Sequence, residues 1–310
     1  MIRPMFLATI ASLGSACSDE PIDQLELPGS GYFPESLHAA ADGTIYVGSL
    51  GTGQIVRFPP HEADAEVVVA PASDRNIAGV LVDDTSASVL ACTGSIASFG
   101  RGNRITRFAS AGGAAIASYP LPDGAFCNDM TFDHDHHLYI ADSIGGRIFK
   151  LARGSSDGTA PAMWASDPLL LGPAQGQLGA DGIAYDGSGG LYVNNVSTGA
   201  LFKIRIEPSG EPGEVVAITV TPPLMGPDGM RVLDATTLVV AEGPANRVSR
   251  ITITGTTAQR TSLIDPIREP SSVTIVGDDA WIAEGQILRL VSDPPISPDL
   301  PFVVRRVPLH

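Results

Sequence analysis

The chain is predicted to be all-β, a six-bladed β-propeller with four-stranded antiparallel blades around a central channel. Three observations predict this fold: one segment pattern recurs six times, apolar residues alternate with a period of two, and clusters of Gly, Asp, Asn and Pro separate the runs. The repeats begin at positions 35, 78, 128, 181, 228 and 271, so successive starts lie 43, 50, 53, 47 and 43 residues apart. A period of roughly 40 to 50 residues is that of propeller blades, which pack radially and keep their sheet edges short.

Each repeat opens on a small or acidic residue followed by an apolar one, turns, runs through an alternating β segment to a Gly-rich turn, and returns in a second β segment. The first is Glu35-Ser36-Leu37 with Thr44-Ile45-Tyr46-Val47 and Gln54-Ile55-Val56-Arg57-Phe58. Ala78-Gly79-Val80 opens the second, with Val89-Leu90-Ala91 and Arg104-Ile105-Thr106-Arg107-Phe108. The third is Asn128-Asp129-Met130 with Leu138-Tyr139-Ile140-Ala141-Asp142 and Arg147-Ile148-Phe149-Lys150. Asp181-Gly182-Ile183 and Asp228-Gly229-Met230 open the fourth and fifth, which continue through Leu191-Tyr192-Val193 and Leu201-Phe202-Lys203-Ile204, and through Leu238-Val239-Val240 and Arg247-Val248-Ser249-Arg250-Ile251. The sixth is Ser271-Ser272-Val273, Ala280-Trp281-Ile282-Ala283 and Gln286-Ile287-Leu288-Arg289-Leu290. Either Pro28 to Phe33 or Phe302 to Arg306 is expected to supply the strand that closes the first blade.

Residues 18–310 read as one domain, since a propeller of this size forms a single unit. The 310 residues are 44% hydrophobic with 34 Gly and 25 Pro, enough for a large core and many turns. An excess of 34 acidic over 19 basic residues gives a formal charge of -15, which repels nucleic acid and anionic lipid, argues against nucleic acid as a partner and is compatible with cation binding or with solubility alone.

Residues 1–17 read as an export signal: Arg3 is a short positive region, Met5 to Ala16 is apolar, and small residues precede Cys17. Leu13-Gly14-Ser15-Ala16-Cys17 resembles a bacterial lipoprotein processing box, with Gly14 where an aliphatic residue is usual, so a lipid anchor at Cys17 is expected, with ordinary cleavage nearby as the alternative. The apolar stretch is too short to span a bilayer, and no transmembrane helix is expected elsewhere. The protein is therefore expected to be periplasmic, an outer-membrane lipoprotein or extracellular. Cys92 and Cys127 are expected as two separately buried thiols, although an oxidising compartment permits a bridge.

The innermost strand of each blade lines the channel, so equivalent positions at its start converge on the axis at one end. These are Glu35, Ala78, Asn128, Asp181, Asp228 and Ser271. Carboxylates packed there repel one another unless one takes up a proton or a cation intervenes. Calcium accepts several carboxylate and amide oxygens in flexible geometry and is the expected divalent ion. The bland alternative is that Asp-Gly marks turns and the channel is simply wet. The second strand returns to the same end and sets a wider ring at Ser49, Thr93, Asp142, Asn195, Glu242 and Glu284, expected to position a substrate or the first ring.

His134, His136 and His137 lie in the turn Asp133 to His137, up to about 26 Å of strand from Asn128, and are expected at the far end of the channel without a role in the site. His38 is expected as a channel-wall residue. There is no nucleophile elbow and no phosphate-binding loop, and Gly187-Ser188-Gly189-Gly190 matches a turn.

Four short motifs resemble those of the SMP-30/gluconolactonase/luciferin-regenerating family of six-bladed propellers: Phe33-Pro34-Glu35-Ser36, Asn128-Asp129, Gly179-Ala180-Asp181-Gly182-Ile183 and Pro227-Asp228-Gly229-Met230. The resemblance implies metal ligands Glu35, Asp181 and Asp228, with Asn128 assisting at the metal or the substrate; Asn195 and Glu242 of the wider ring, and Phe126, are the other expected substrate contacts. It implies lactone hydrolysis with Asp228 as first choice of proton acceptor and Asp129 as second. Asp181 replaces the family's usual Asn and adds a negative charge. Phe126 stands where sugar-lactone members often carry an arginine, which favours a less polar lactone or ester.

Two function classes follow. One is a calcium-dependent hydrolase of a lactone or related ester. The other is a non-catalytic propeller, like NHL-type repeat proteins, that binds a protein or glycan at the cell envelope and uses the ion as a rivet. Fold alone does not decide between them.

Overall fold

The computed structural model describes residues 22–96 and 100–310; the leader and Cys17 lie outside them. The described chain is built from four-stranded antiparallel units, six in number. Their innermost strands are Pro34–Ala39, Asn76–Asp83, Cys127–Phe132, Ala180–Tyr185, Pro227–Asp234 and Pro270–Val276. Each touches the next, and the last touches the first, so they close a cycle around an axis.

Six clusters of buried apolar residues fill the spaces between successive units. Tyr46, Ile55, Val80 and Val89 join the first unit to the second. Leu37, Val47, Ala283 and Val304 join the sixth back to the first. Alternation explains this: one face of each strand meets the preceding sheet and the other meets the following sheet, so both are buried and the core is distributed around the ring. The fourth and fifth units share an additional edge, a parallel pairing of Thr219, Val220 and Thr221 with Thr257, Ala258 and Gln259, which merges them into one eight-stranded sheet.

Closure differs from the sequence expectation. The first unit is complete by itself, from Pro34–Ala39 to Glu66–Val69. The sixth unit holds both ends of the chain: Val303–Pro308 is its third strand, and Gln24–Glu26 pairs outside it. The run from Gln286 to Leu290 is not a strand; Ile287–Val291 forms a short helix. Five residues are too few to separate a period of two from one of 3.6, and the strand position was filled from the C-terminus instead.

Cys92 and Cys127 are bonded to one another, with Cα atoms 5.3 Å apart, and so are not separate thiols. Cys92 lies on the second strand of unit two and Cys127 on the first strand of unit three, which the ring places face to face in one apolar cluster. Linear spacing carries no information on such a contact. Among the described residues no helix is long and apolar enough to cross a membrane.

Candidate functional site

Every innermost strand breaks register with its neighbour at the same place. The shifts fall between Pro34 and Ser36, Ile77 and Val80, Cys127 and Met130, Ala180 and Ile183, Pro227 and Met230, and Pro270 and Ser272. Each interval contains one of the ring positions. A bulge re-aims the side chains of its extra residues, and here it does so six times at one end of the channel.

The glycines beside the acids follow from this crowding rather than from turns. A Cβ at Gly182 would lie 2.4 Å from the carbonyl oxygen of Asp228 and 2.7 Å from Nδ2 of Asn194; one at Gly229 would lie 2.4 Å from Oγ of Ser272. Gly182→Ala is therefore expected to cost about 1–3 kcal/mol, the usual penalty for overpacking. Gly31→Ala, where the nearest atom is 3.9 Å from the new methyl, is expected to stay within about 0.5 kcal/mol. Denaturant midpoints at constant slope check both.

Glu35, Asn128, Asp129 and Asp181 are buried, and Asp228 is half-buried. Nδ2 of Asn128 donates to Oδ2 of Asp181 at 2.8 Å. Oδ1 of Asp181 is buried with no donor, and its carboxyl is within hydrogen-bonding reach of Asp228, a contact that needs a proton or a cation to be favourable. Burial first, then the charges of Asp228 and Asp129, raises Glu35 well above the usual carboxylate range, against a lowering pull from Arg231. Asp181 is raised likewise by burial, Asp228 and Glu35. Burial pushes Asp228 up to about 7, although the Asp181 carboxyl and the Gly229 N–H pull it down.

The sequence reading missed Arg231. Its Nη1 donates to Oδ2 of Asp129 at 3.1 Å and to the carbonyl of Met230 at 2.7 Å, and Nη2 donates to the carbonyl of Leu37 at 3.3 Å. The side chain thus reaches from the fifth unit to the third and the first, below the acids. Of the residues in the six innermost strands it is the one Lys or Arg. That was the available signal: a permanent cation three residues past Asp228 on a channel-lining strand.

Asp129 has both oxygens engaged, Oδ1 by the N–H of Met130 and Oδ2 by the N–H of Ile183 and by Arg231. It therefore orients strands and guanidinium. Asn195 and Glu242 do not join the central group. Asn195 donates to the carbonyls of Leu169 and Leu171 and accepts from Ser197 and Thr198. Glu242 is held by Arg247, Ser249 and the N–H of Met225. Asp142 and Glu284 are similarly committed to Arg147, and to Arg268 and Arg305. The wider ring is thus a set of braces for the turns around the mouth. Phe126 is half-buried against the cluster that contains the disulfide, with its N–H donating to Asp142.

His136 lies in its turn with its ring stacked on Phe132, centroids 4.2 Å apart, and 2.9 Å from Oδ1 of Asp83; His137 is 3.2 Å from Oδ2 of Asp133. The His136–Asp83 contact ties the third unit to the second, and the other two brace the turn within the third.

Among the described residues no group of three or more His, Cys, Asp or Glu side chains is placed so that it could hold a metal ion. The donor chemistry still suits a hard cation: carboxylate oxygens whose pKa values are raised by burial and neighbouring carboxylates, one of them buried and without a hydrogen-bond donor.

No protein-family model matches the chain, and no curated protein is similar to it at a significant level. Solved structures share its fold. A luciferin-regenerating enzyme superposes with a TM-score of 0.67 at 14% identity, over 90% of this chain and 92% of that one. Catalytically inactive virginiamycin B lyase from Staphylococcus aureus gives 0.61 at 16%, over 93% and 88%. A PQQ-bound aldose sugar dehydrogenase from Streptomyces coelicolor gives 0.61 at 17%, over 92% and 97%. At these identities the likeness shows the fold alone and leaves the chemistry to the residues.

Proposed function

We propose that the six units are the blades of a six-bladed propeller, and that its acidic end is the active site of a divalent-cation-dependent hydrolase of a lactone or related ester. The observation that carries this reading is the cluster of Glu35, Asp181 and Asp228 with Asn128, in which a buried carboxylate oxygen lacks any donor. Glu35, Asp181, Asp228 and the amide oxygen of Asn128 would hold the cation, and calcium suits an all-oxygen set. Bound there, the ion supplies Lewis acidity toward an ester carbonyl.

The chain's own residues divide the remaining work. Asp228 is the half-buried carboxylate of the cluster, which lets it reach an attacking water and accept its proton. Asp129, fixed by Arg231 and two backbone N–H groups, positions the Asn128-Asp129 segment instead of moving a proton. Phe126 next to that segment favours a substrate of low polarity. The disulfide suits an oxidising compartment, in keeping with export and a lipid anchor at Cys17.

A second reading has its own supporting observation. Leu169, Met225 and Leu288, on connections at the acidic end, are 49%, 57% and 53% exposed. Exposed apolar side chains around a mouth also suit a non-catalytic, NHL-like propeller that grips a protein or glycan. Hydrolysis of sugar, aliphatic and aromatic lactones before and after chelation separates the two. Turnover lost with chelator and restored by calcium is the expected result; bound metal without turnover on any of them favours the second reading.

A further inference from the structure

Below the acids the axis widens into a cavity of about 290 Å³, walled by residues of all six innermost strands. Its wall differs from the rest of the protein in charge. The chain carries 34 acidic and 19 basic residues, yet the wall includes Arg231 and His38 and no Asp or Glu. It also includes the hydroxyls of Thr131 and Thr274, with Leu81 and Val232 among its aliphatic surface.

The polar groups present donors. Nε of Arg231 is buried and has no acceptor, which is costly for a charged donor unless something supplies one. Nδ1 of His38 accepts from the N–H of Val82 at 3.3 Å, so in the neutral ring the other nitrogen carries the hydrogen. Burial, followed by the charge of Arg231, keeps the ring neutral, pushing its pKa down to about 3. Oγ1 of Thr131 accepts from the N–H of Tyr185, and Oγ1 of Thr274 from the N–H of Ala39, at 3.3 and 3.0 Å. Each hydroxyl proton remains to be donated. Ordered water answers some of this need in any polar channel. A wall without a carboxylate of its own, with aliphatic flanks and an arginine that is paired to Asp129 through Nη1 but keeps a buried Nε without an acceptor, answers better to an anion with an apolar body.

We propose that this cavity is a second ligand site, separate from the acidic cluster, which binds a small organic carboxylate through Arg231, with hydrogen bonds from His38, Thr131 and Thr274. A ligand of this kind is acceptor-only at one end and apolar at the other, and the volume limits it to a small molecule. Because Arg231 also holds Asp129, the two ends of the channel share one side chain.

Titration calorimetry of the whole protein with acetate, hexanoate, benzoate and the neutral hexanamide, all in chelator, tests this. The expected result is saturable hexanoate or benzoate binding with Kd at or below about 1 mM, at least tenfold weaker binding of hexanamide, and loss of carboxylate binding in Arg231→Met. Ala39→Phe is the second variant: it narrows the cavity without touching the Arg231–Asp129 pair, and it is expected to lose binding while still unfolding cooperatively in chelator, at a melting temperature lowered because Ala39 also packs against the cluster between the sixth and first units. Three results would overturn the proposal: no carboxylate binding by wild type, equal binding by Ala39→Phe, or binding that appears only when calcium is added, which would place the anion at the acidic cluster.

Discussion

Asp228→Ala is expected to lower kcat/KM for lactone or ester hydrolysis by about 10³-fold, within the range that loss of a positioned acid–base group costs. It is also expected to remove most calcium binding, because Asp228 is the cluster's half-exposed carboxylate. The fold should survive. The backbone carbonyl of Asp228, not its side chain, receives Nδ2 of Asn194, and the carboxylate itself raises the pKa of both Glu35 and Asp181. Removing it relieves repulsion, so the variant should melt above wild type in chelator. Retention of more than a tenth of the activity, with calcium dependence intact, would remove Asp228 from the site. Asp228→Asn keeps the shape and should share the loss of activity.

The second large effect is on stability. The acidic carboxyls have folded-state pKa values above their ordinary ones. Between the ordinary range near 4 and about 7 for Asp228, the native state retains protons that the unfolded chain has lost. Stability then falls as pH rises, since the slope follows the protons bound by the unfolded state minus those bound by the native state. In chelator the melting temperature should drop by several degrees between pH 5 and pH 8. Calcium should abolish the drop, because a cation replaces the protons, and its stabilising effect should be larger at pH 8 than at pH 5. A chelator profile that is flat or rises over this window would mean that the carboxyls do not hold their protons.

Asp83 gives the opposite slope in strong acid. Burial would raise it, but hydrogen bonds from Ser86, Thr85, Arg107 and His136 outweigh that and hold it below the ordinary value of 3.8. Its stability contribution is present above that value and is lost as pH falls below it. Scanning from pH 2 upward in chelator should therefore show a rise before the fall.

Much of this was legible in the sequence because a repeat writes its architecture several times. The ring positions of Glu35, Asn128, Asp181 and Asp228 follow from the repeat register alone. Their exact aim does not: the six bulges that turn them inward arise from pairing with the second strand, and Asp-Gly looks the same in a bulge as in a turn. Gly182 and Gly229 read as turn residues until the neighbouring strand comes within contact distance. Asn195 and Glu242 occupy the expected repeat positions, yet their side chains are drawn outward by the connections they brace. Those partners come from irregular segments that no period describes. Arg231 was overlooked because attention to acids and amides passes over the one cation among them. The Cys92–Cys127 bridge and the mixed sixth unit depend on how the ring closes, a property of three dimensions rather than of spacing.

The most direct test of the acidic cluster is calcium titration by calorimetry of the purified protein at pH 7.5, after chelator treatment, with buffers of different ionisation enthalpy to count protons. The expected result is one calcium per chain, bound with net proton release, and lost together with that release in Asp181→Asn/Asp228→Asn. Absence of binding, or binding with no proton release that persists in the double variant, would contradict a cation site at the end of this channel.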